Sequence, residues 1–225
     1  MLLLEKRAQL FMNQKTFNYF SWGIFALSVV LPIAVWGNNV SWNFSSLSLY
    51  SYFPLFGLLA WMIMWTHYVN GAVRIKTPGL KKPKYYAKVT AYIVLASILL
   101  HPGLLALAQF QNDAGLPPAS FFSYLGDASR IAVMFGSISL IILLSFEYFD
   151  RARNKDWVKK AGLWISISQS IAMILIFVHA LRIGGDLNTD WFYAVWLAYG
   201  AILIPCFYII HDADLKSRAK LQNKN

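Results

Sequence analysis

Two histidines, His101 and His179, lie far inside two long apolar stretches of the chain. An ionisable side chain at membrane depth is costly and usually serves a function. Imidazole is a common axial ligand of haem iron, and two helices that run in the same direction can offer one imidazole to each face of a porphyrin. The first chemistry that these residues indicate is therefore the binding of a b-type haem.

Apolar stretches of this kind occur six times, each near or above the roughly 20 residues that a helix needs to cross a bilayer. The chain is 58% hydrophobic and only 13% charged, which is too apolar for a soluble domain. The stretches are continuous and not alternating, so they predict helices and not barrel strands, and we find no internal repeat. We predict one all-α domain, residues 1–225, with six transmembrane helices at about 17–36, 49–68, 86–110, 128–149, 161–183 and 191–210.

Basic residues are concentrated in every second loop. Of the 20 lysines and arginines, 18 lie in segments 1–16, 70–88, 149–160 and 212–225. The positive-inside rule then places both termini in the cytoplasm, and we expect the plasma (inner) membrane as the location. These cytoplasmic lysines and arginines explain the net charge of +10. We therefore expect the lipid bilayer as the partner and no binding to nucleic acid. The tryptophans are expected mainly at the membrane interfaces.

The predicted topology gives the two histidines similar depths. Spans three and five both run outward, with His101 about 15 residues and His179 about 18 residues into its span, so their levels differ by about 5 Å. Helix tilt can absorb this difference. A lone histidine in a helix is equally well explained as a hydrogen-bonded core residue, but the matching depth of two favours a shared ligand.

Other polar residues suit a haem less specifically. Arg182 lies one turn beyond His179 on the same face, where a haem propionate would need a cation, and Arg130 is a second candidate in the outer leaflet. Both arginines are equally explained as snorkelling residues at the interface. His67 and His211 are predicted at the cytoplasmic interface as ordinary polar residues, with a head group, a quinone or a second cofactor as alternative ligands.

Two segments carry a family resemblance. They are KYYAKVTAYIVLASILLHPGLL in span three and DWVKKAGLWISISQSIAMILIFVHALRIGG, which leads into and forms span five. Over about residues 70–185 the chain resembles the ferric reductase-like transmembrane domain superfamily. This superfamily includes NADPH oxidases, six-transmembrane epithelial antigen metalloreductases and the haem subunit of bacterial periplasmic methionine sulfoxide reductase systems.

The resemblance implies that haem ligands come from spans three and five. Members with two haems carry a second histidine 13 or 14 residues nearer the cytoplasm, where this chain has Ala87, Lys88 and Ser166. One haem b is therefore expected, in the outer half, as in the metalloreductases, where a flavin occupies the inner position. Ser166 and Gln169 could line such a flavin or quinone pocket, although serines that bond their own helix are the simpler account.

These observations predict a metal site of His101 and His179 and no catalytic acid, base or nucleophile. Electrons would pass outward from a quinone, a flavin or a cytoplasmic flavoprotein reductase docked on the basic connector 70–85. The protein would then be a transmembrane oxidoreductase or its electron-transfer subunit. Two other classes stay open, a proton- or anion-coupled transporter that uses the same histidines and a non-catalytic membrane anchor.

Overall fold

A computed structural model describes residues 12–123, 129–152 and 154–222. These residues are almost entirely helical and form no β-strand, which confirms the predicted all-α class. The helices are α1 (Gln14–Asn39), α2 (Leu49–Lys76), α3 (Lys84–Gln111), α4 (Ala119–Ser123), α5 (Arg130–Arg151), α6 (Asp156–Ile183) and α7 (Asp190–Gln222). Short 3₁₀ turns at Phe44–Ser46 and Gly185–Asn188 precede α2 and α7.

Five of these helices are long and apolar enough to cross a membrane, namely α1, α2, α3, α6 and α7. The apolar part of α5, Arg130–Phe146, is shorter than the other five. The chain therefore has the helices of an integral membrane protein. Six spans with both termini in the cytoplasm stay a prediction.

The helix starts follow from local sequence. The Asn13 side chain accepts a hydrogen bond of 2.9 Å from the backbone N–H of Thr16 and so caps α1. Ser48 and Ser51 form a capping box at the start of α2. Inside the helices, buried serines bond a carbonyl four residues earlier, as Ser139 does at 2.7 Å. Their hydroxyls thus need no water at membrane depth.

Two antiparallel hairpins organise the bundle. Helices α2 and α3 pack along each other and are joined by residues 77–83, and α5 and α6 pack along each other and are joined by residues 152–155. Helix α2 also packs on α1 and α7, while α7 contacts α6. Helix α2 therefore lies near the centre, with α1 and α7 against it.

The basic connector is shorter than predicted. Because α2 continues to Lys76 and α3 begins at Lys84, only seven residues link them, in place of the segment 70–85. Gln14 holds this connector to α1, since its side chain accepts from the Lys81 N–H at 2.8 Å and donates to the Lys81 carbonyl at 3.2 Å. The lysines of the connector are exposed at one end of the bundle.

Several tryptophans lie in the core and not at an interface. Trp61 and Trp65 on α2 and Trp196 on α7 are buried, and the rings of Trp61 and Trp196 have centroids 4.1 Å apart. The indole N–H of Trp61 donates to the Met173 carbonyl on α6 at 3.0 Å. The indole N–H of Trp65 donates to the Tyr199 carbonyl on α7 at 2.8 Å. These contacts join α2 of the first hairpin to α6 of the second hairpin and to α7.

Candidate functional site

His101 and His179 lie side by side although 78 positions separate them in the chain. Their ring centroids are 6.4 Å apart and their planes are nearly perpendicular, at 85°. His101 is carried by α3 and His179 by α6, the second helix of each hairpin. The structure thus brings together the two residues that sequence depth had paired.

Each imidazole is anchored to a backbone carbonyl of the other helix in its own hairpin. His101 Nδ1 lies 2.7 Å from the Phe53 carbonyl oxygen on α2, and His179 Nδ1 lies 2.7 Å from the Ala132 carbonyl oxygen on α5. A carbonyl oxygen only accepts, so Nδ1 must donate in both cases. In a neutral imidazole the proton is then on Nδ1, and both Nε2 atoms keep a free lone pair.

The two anchored rings belong to hairpins that stay largely apart. Helix α3 packs along α2, and α6 packs along α5 and α7, whereas α3 and α6 do not pack along each other in the described chain. The hairpins approach each other mainly where α2 meets α6. Because Nδ1 and Nε2 point to nearly opposite sides of an imidazole ring, each free Nε2 points away from its hairpin partner's carbonyl.

The two arginines lie at the same end of the second hairpin. Arg182 is exposed in the last turn of α6, three residues after His179. Arg130 is the first residue of α5 and is exposed, two residues before Ala132, whose carbonyl holds His179. Both cations are therefore within a turn of the residues that build one half of the site.

The other two histidines do not join this site. His67 Nε2 is 2.9 Å from the Thr90 hydroxyl, and Thr90 precedes His101 by 11 residues, or about 16 Å of helix. His211 Nε2 is 3.1 Å from the Ser170 hydroxyl, nine residues or about 13 Å before His179. Each bridges two helices, far along the helix from the paired rings, and their predicted place at the cytoplasmic interface stays a prediction.

The polar residues of α6 are tied into helix contacts. The Gln169 amide nitrogen donates to the Ile142 carbonyl on α5 at 3.2 Å. Ser168 and Ser170 bond carbonyls of their own helix, at 2.9 and 3.3 Å. Ser166 is half-buried on the same helix. Gln169 thus joins α6 to α5, while Ser168 and Ser170 bond within α6.

Asp186 is a buried carboxyl just beyond the end of α6. Asn39, at the end of α1, donates a hydrogen bond of 2.6 Å from its amide to Asp186 Oδ1. Burial raises the pKa of the Asp186 carboxyl above its ordinary value, and the hydrogen bond from Asn39 offsets part of this rise. The contact joins α1 to the turn that links α6 with α7.

This raised pKa predicts a pH dependence of stability. Because the native carboxyl binds its proton more tightly than the unfolded one, whose pKa is about 3.9, the native state loses stability as pH rises from the unfolded to the native pKa. Above the native pKa the loss is complete and constant. We expect Asp186→Asn to flatten this fall in a thermal unfolding series from acid to neutral pH. Asp113→Asn, an exposed control, should behave like the wild type.

Sequence reasoning missed the groups that hold the imidazoles. The acceptors are the main-chain carbonyls of Phe53 and Ala132. A main-chain carbonyl cannot be recognised from the type of side chain at its position. A readable signal was present in two glycines inside apolar helices, Gly57 and Gly136, against which the two rings lie. Glycine inside a helix costs about 1 kcal/mol relative to alanine, so its presence often has a packing reason.

Comparison with known proteins gives no relative. No family model, no curated protein and no solved structure matches this chain.

Proposed function

We propose that the protein is a membrane b-type haem protein in which His101 and His179 ligate one iron from opposite faces. The observation that carries this proposal is the spacing of the two anchored rings, 6.4 Å between centroids. A metal–imidazole bond is about 2.0 Å and each nitrogen lies about 1 Å from its ring centroid, so two imidazoles on opposite sides of one metal have centroids about 6 Å apart. The observed separation fits that arrangement.

The protonation of the rings supports the same proposal. Histidines that bind metals usually donate their other N–H to a carbonyl or carboxylate, which fixes the tautomer and makes the free nitrogen more basic. Phe53 and Ala132 supply carbonyls of this kind. Among the described residues no three histidine, cysteine or acidic side chains come together as a site for a bare metal ion. A macrocycle that brings four nitrogens of its own needs only these two ligands.

The bound haem would supply one-electron redox chemistry, and the chain's residues would hold and tune it. His101 and His179 would hold the iron, and the apolar helices around them would exclude water. Arg182 and Arg130 place positive charge at the outer end, where it can pair with propionates. No side chain is required as a general acid or nucleophile.

The direction of electron flow follows from the proposed topology. With six spans and both termini in the cytoplasm, the site lies in the outer half of the plasma membrane, as in the ferric reductase-like superfamily. A quinone, a flavin near Ser166 and Gln169, or a flavoprotein reductase on the lysines around residues 77–83 would deliver electrons from within. The protein would be an oxidoreductase of that superfamily or its electron-transfer subunit, and its acceptor would be at the outer face.

The transporter hypothesis finds less support. The single hydrogen bond of His101, and likewise that of His179, goes to a main-chain carbonyl in the part of the chain that is described. The carbonyl anchors suit a ligand held in a fixed tautomer and not a residue that gains and loses protons.

The experiment that tests the proposal is an absorption spectrum. The full chain is expressed with haem supplied and purified in mild detergent, and the dithionite-reduced minus oxidised spectrum is recorded together with the haem-to-protein ratio. We expect a low-spin b-type signal and one haem per chain. A folded protein without pigment would contradict the haem proposal, and two haems per chain would contradict the single-site assignment.

A further inference from the structure

The two halves of the candidate site are copies of one local arrangement. His101 donates to the carbonyl of Phe53, and Gly57 follows four residues later on α2. His179 donates to the carbonyl of Ala132, and Gly136 follows four residues later on α5. The donor and acceptor are 48 residues apart in the first hairpin and 47 in the second. A structural repeat is thus present where no repeat was found in the sequence.

The glycines in this repeat occupy the place where a side chain would strike the imidazole. A Cβ atom on Gly57 would lie 2.7 Å from His101 Nδ1 and 2.8 Å from its Cε1. A Cβ atom on Gly136 would lie 2.8 Å from both Nδ1 and Cε1 of His179. Such separations are far below van der Waals contact, so each ring lies directly on a glycine backbone. At Gly103, two residues after His101, an added Cβ atom would have no neighbouring atom within 4 Å.

A hydrogen bond and a flat contact surface constrain a ring in different ways. The bond to the carbonyl fixes where Nδ1 lies, but it leaves the ring free to turn about the N–H direction. Glycine lets the ring edge formed by Nδ1 and Cε1 lie close against the helix backbone, at a place where any side chain would push the ring away. The hydrogen bond and this close approach together restrict the plane of each imidazole.

We infer that Gly57 and Gly136 are positioning residues that hold the planes of His101 and His179 perpendicular to each other. The inference rests on the proposed function for its effect on haem, but the contacts themselves belong to the protein alone. In low-spin ferric haem, perpendicular imidazole planes bring the two iron orbitals that interact with the rings close in energy. The EPR signal is then strongly anisotropic, whereas parallel planes give a rhombic signal with three resolved features.

The test compares Gly57→Ala and Gly136→Ala with Gly103→Ala. The chain has only four histidines, so selective 15N-histidine labelling gives four sets of ring signals. The signals are assigned by removing one histidine at a time. We expect Gly57→Ala to shift the His101 signals and Gly136→Ala to shift those of His179, with the other ring little changed. Gly103→Ala should leave both rings as in the wild type.

The ferric EPR spectrum is the second measurement. We expect an anisotropic signal in the wild type and in Gly103→Ala, and a more rhombic or high-spin signal in the other two variants. A rhombic wild-type signal would overturn the inference without any variant, and so would wild-type rings lacking a protonated, hydrogen-bonded Nδ1. Unchanged spectra in Gly57→Ala and Gly136→Ala would overturn it as well.

Failure of the two proposals can be told apart. A wild-type protein without haem contradicts the proposed function, while the 15N signals of its four histidines still test the positioning role. If both glycine variants fail to fold, as judged by helical circular dichroism, the wild-type EPR and 15N measurements decide. If haem binds normally and the alanine variants keep the wild-type ring signals, the proposed function is supported. The positioning role of the two glycines is then wrong.

Discussion

His101→Ala and His179→Ala are each expected to abolish stable haem binding and leave the helical fold intact. Each substitution removes one of the two proposed haem ligands. The fold should persist because the Nδ1 of each histidine contacts a single main-chain carbonyl, whose helix has other packing contacts. Loss of one outer-shell partner of a metal ligand already lowers affinity by about 10–100-fold, so the loss of a ligand itself should lower it further. The haem-to-protein ratio after purification measures the effect.

The other two histidines provide the matched control. His67→Ala and His211→Ala remove imidazoles that bond to the Thr90 and Ser170 hydroxyls, far from the paired rings. Both variants should keep one haem per chain and the wild-type spectrum. If either one lost the pigment while His101→Ala retained it, the ligand assignment would be wrong.

All-or-none labelling is expected from single cysteines placed at the two ends of the bundle. Cys206, the only cysteine, is buried and is first changed to serine. Lys82→Cys then probes the connector between α2 and α3, and Leu116→Cys probes the segment after α3, where Leu116 is 65% exposed. With cytoplasmic termini, a membrane-impermeant maleimide added to intact cells should label the Leu116→Cys protein and spare the Lys82→Cys protein.

Permeabilised cells supply the control for this experiment. Once the membrane is opened, both cysteines should react to the same extent, because both positions are exposed. Labelling of the Lys82→Cys protein alone in intact cells would invert the topology and place the paired histidines in the cytoplasmic half. The outward direction proposed for electron transfer would then be lost.

Hydropathy located the helices well because membrane spans are long and uniformly apolar. The span predicted at about 86–110 is helix Lys84–Gln111, and the one at about 161–183 lies within Asp156–Ile183. The ends were less predictable. Helix α7 continues to Gln222, well past the apolar run that ends near residue 210. Hydropathy reports where a helix leaves lipid, not where its backbone hydrogen bonds stop.

The two histidines of the candidate site could be predicted from the sequence, but the backbone groups that hold them could not. The pairing of His101 with His179 followed from their depth on helices of the same direction. The carbonyls that orient them could not be found in this way, since every residue has one. The burial of Trp61, Trp65 and Trp196 was also missed, because an amphipathic ring is suited both to an interface and to a core. In the core, the indole N–H groups of Trp61 and Trp65 each donate to a carbonyl.

The repeat of carbonyl, glycine and histidine within each hairpin has a consequence for biogenesis. The carbonyl hydrogen bond and the glycine contact of His101 lie within the first hairpin, and those of His179 lie within the second. Each half can therefore form as soon as its own pair of helices has entered the membrane. A haem held by both histidines, as proposed, would need both halves, so it could bind only after the second hairpin has also entered the membrane, once the chain has been made past residue 183.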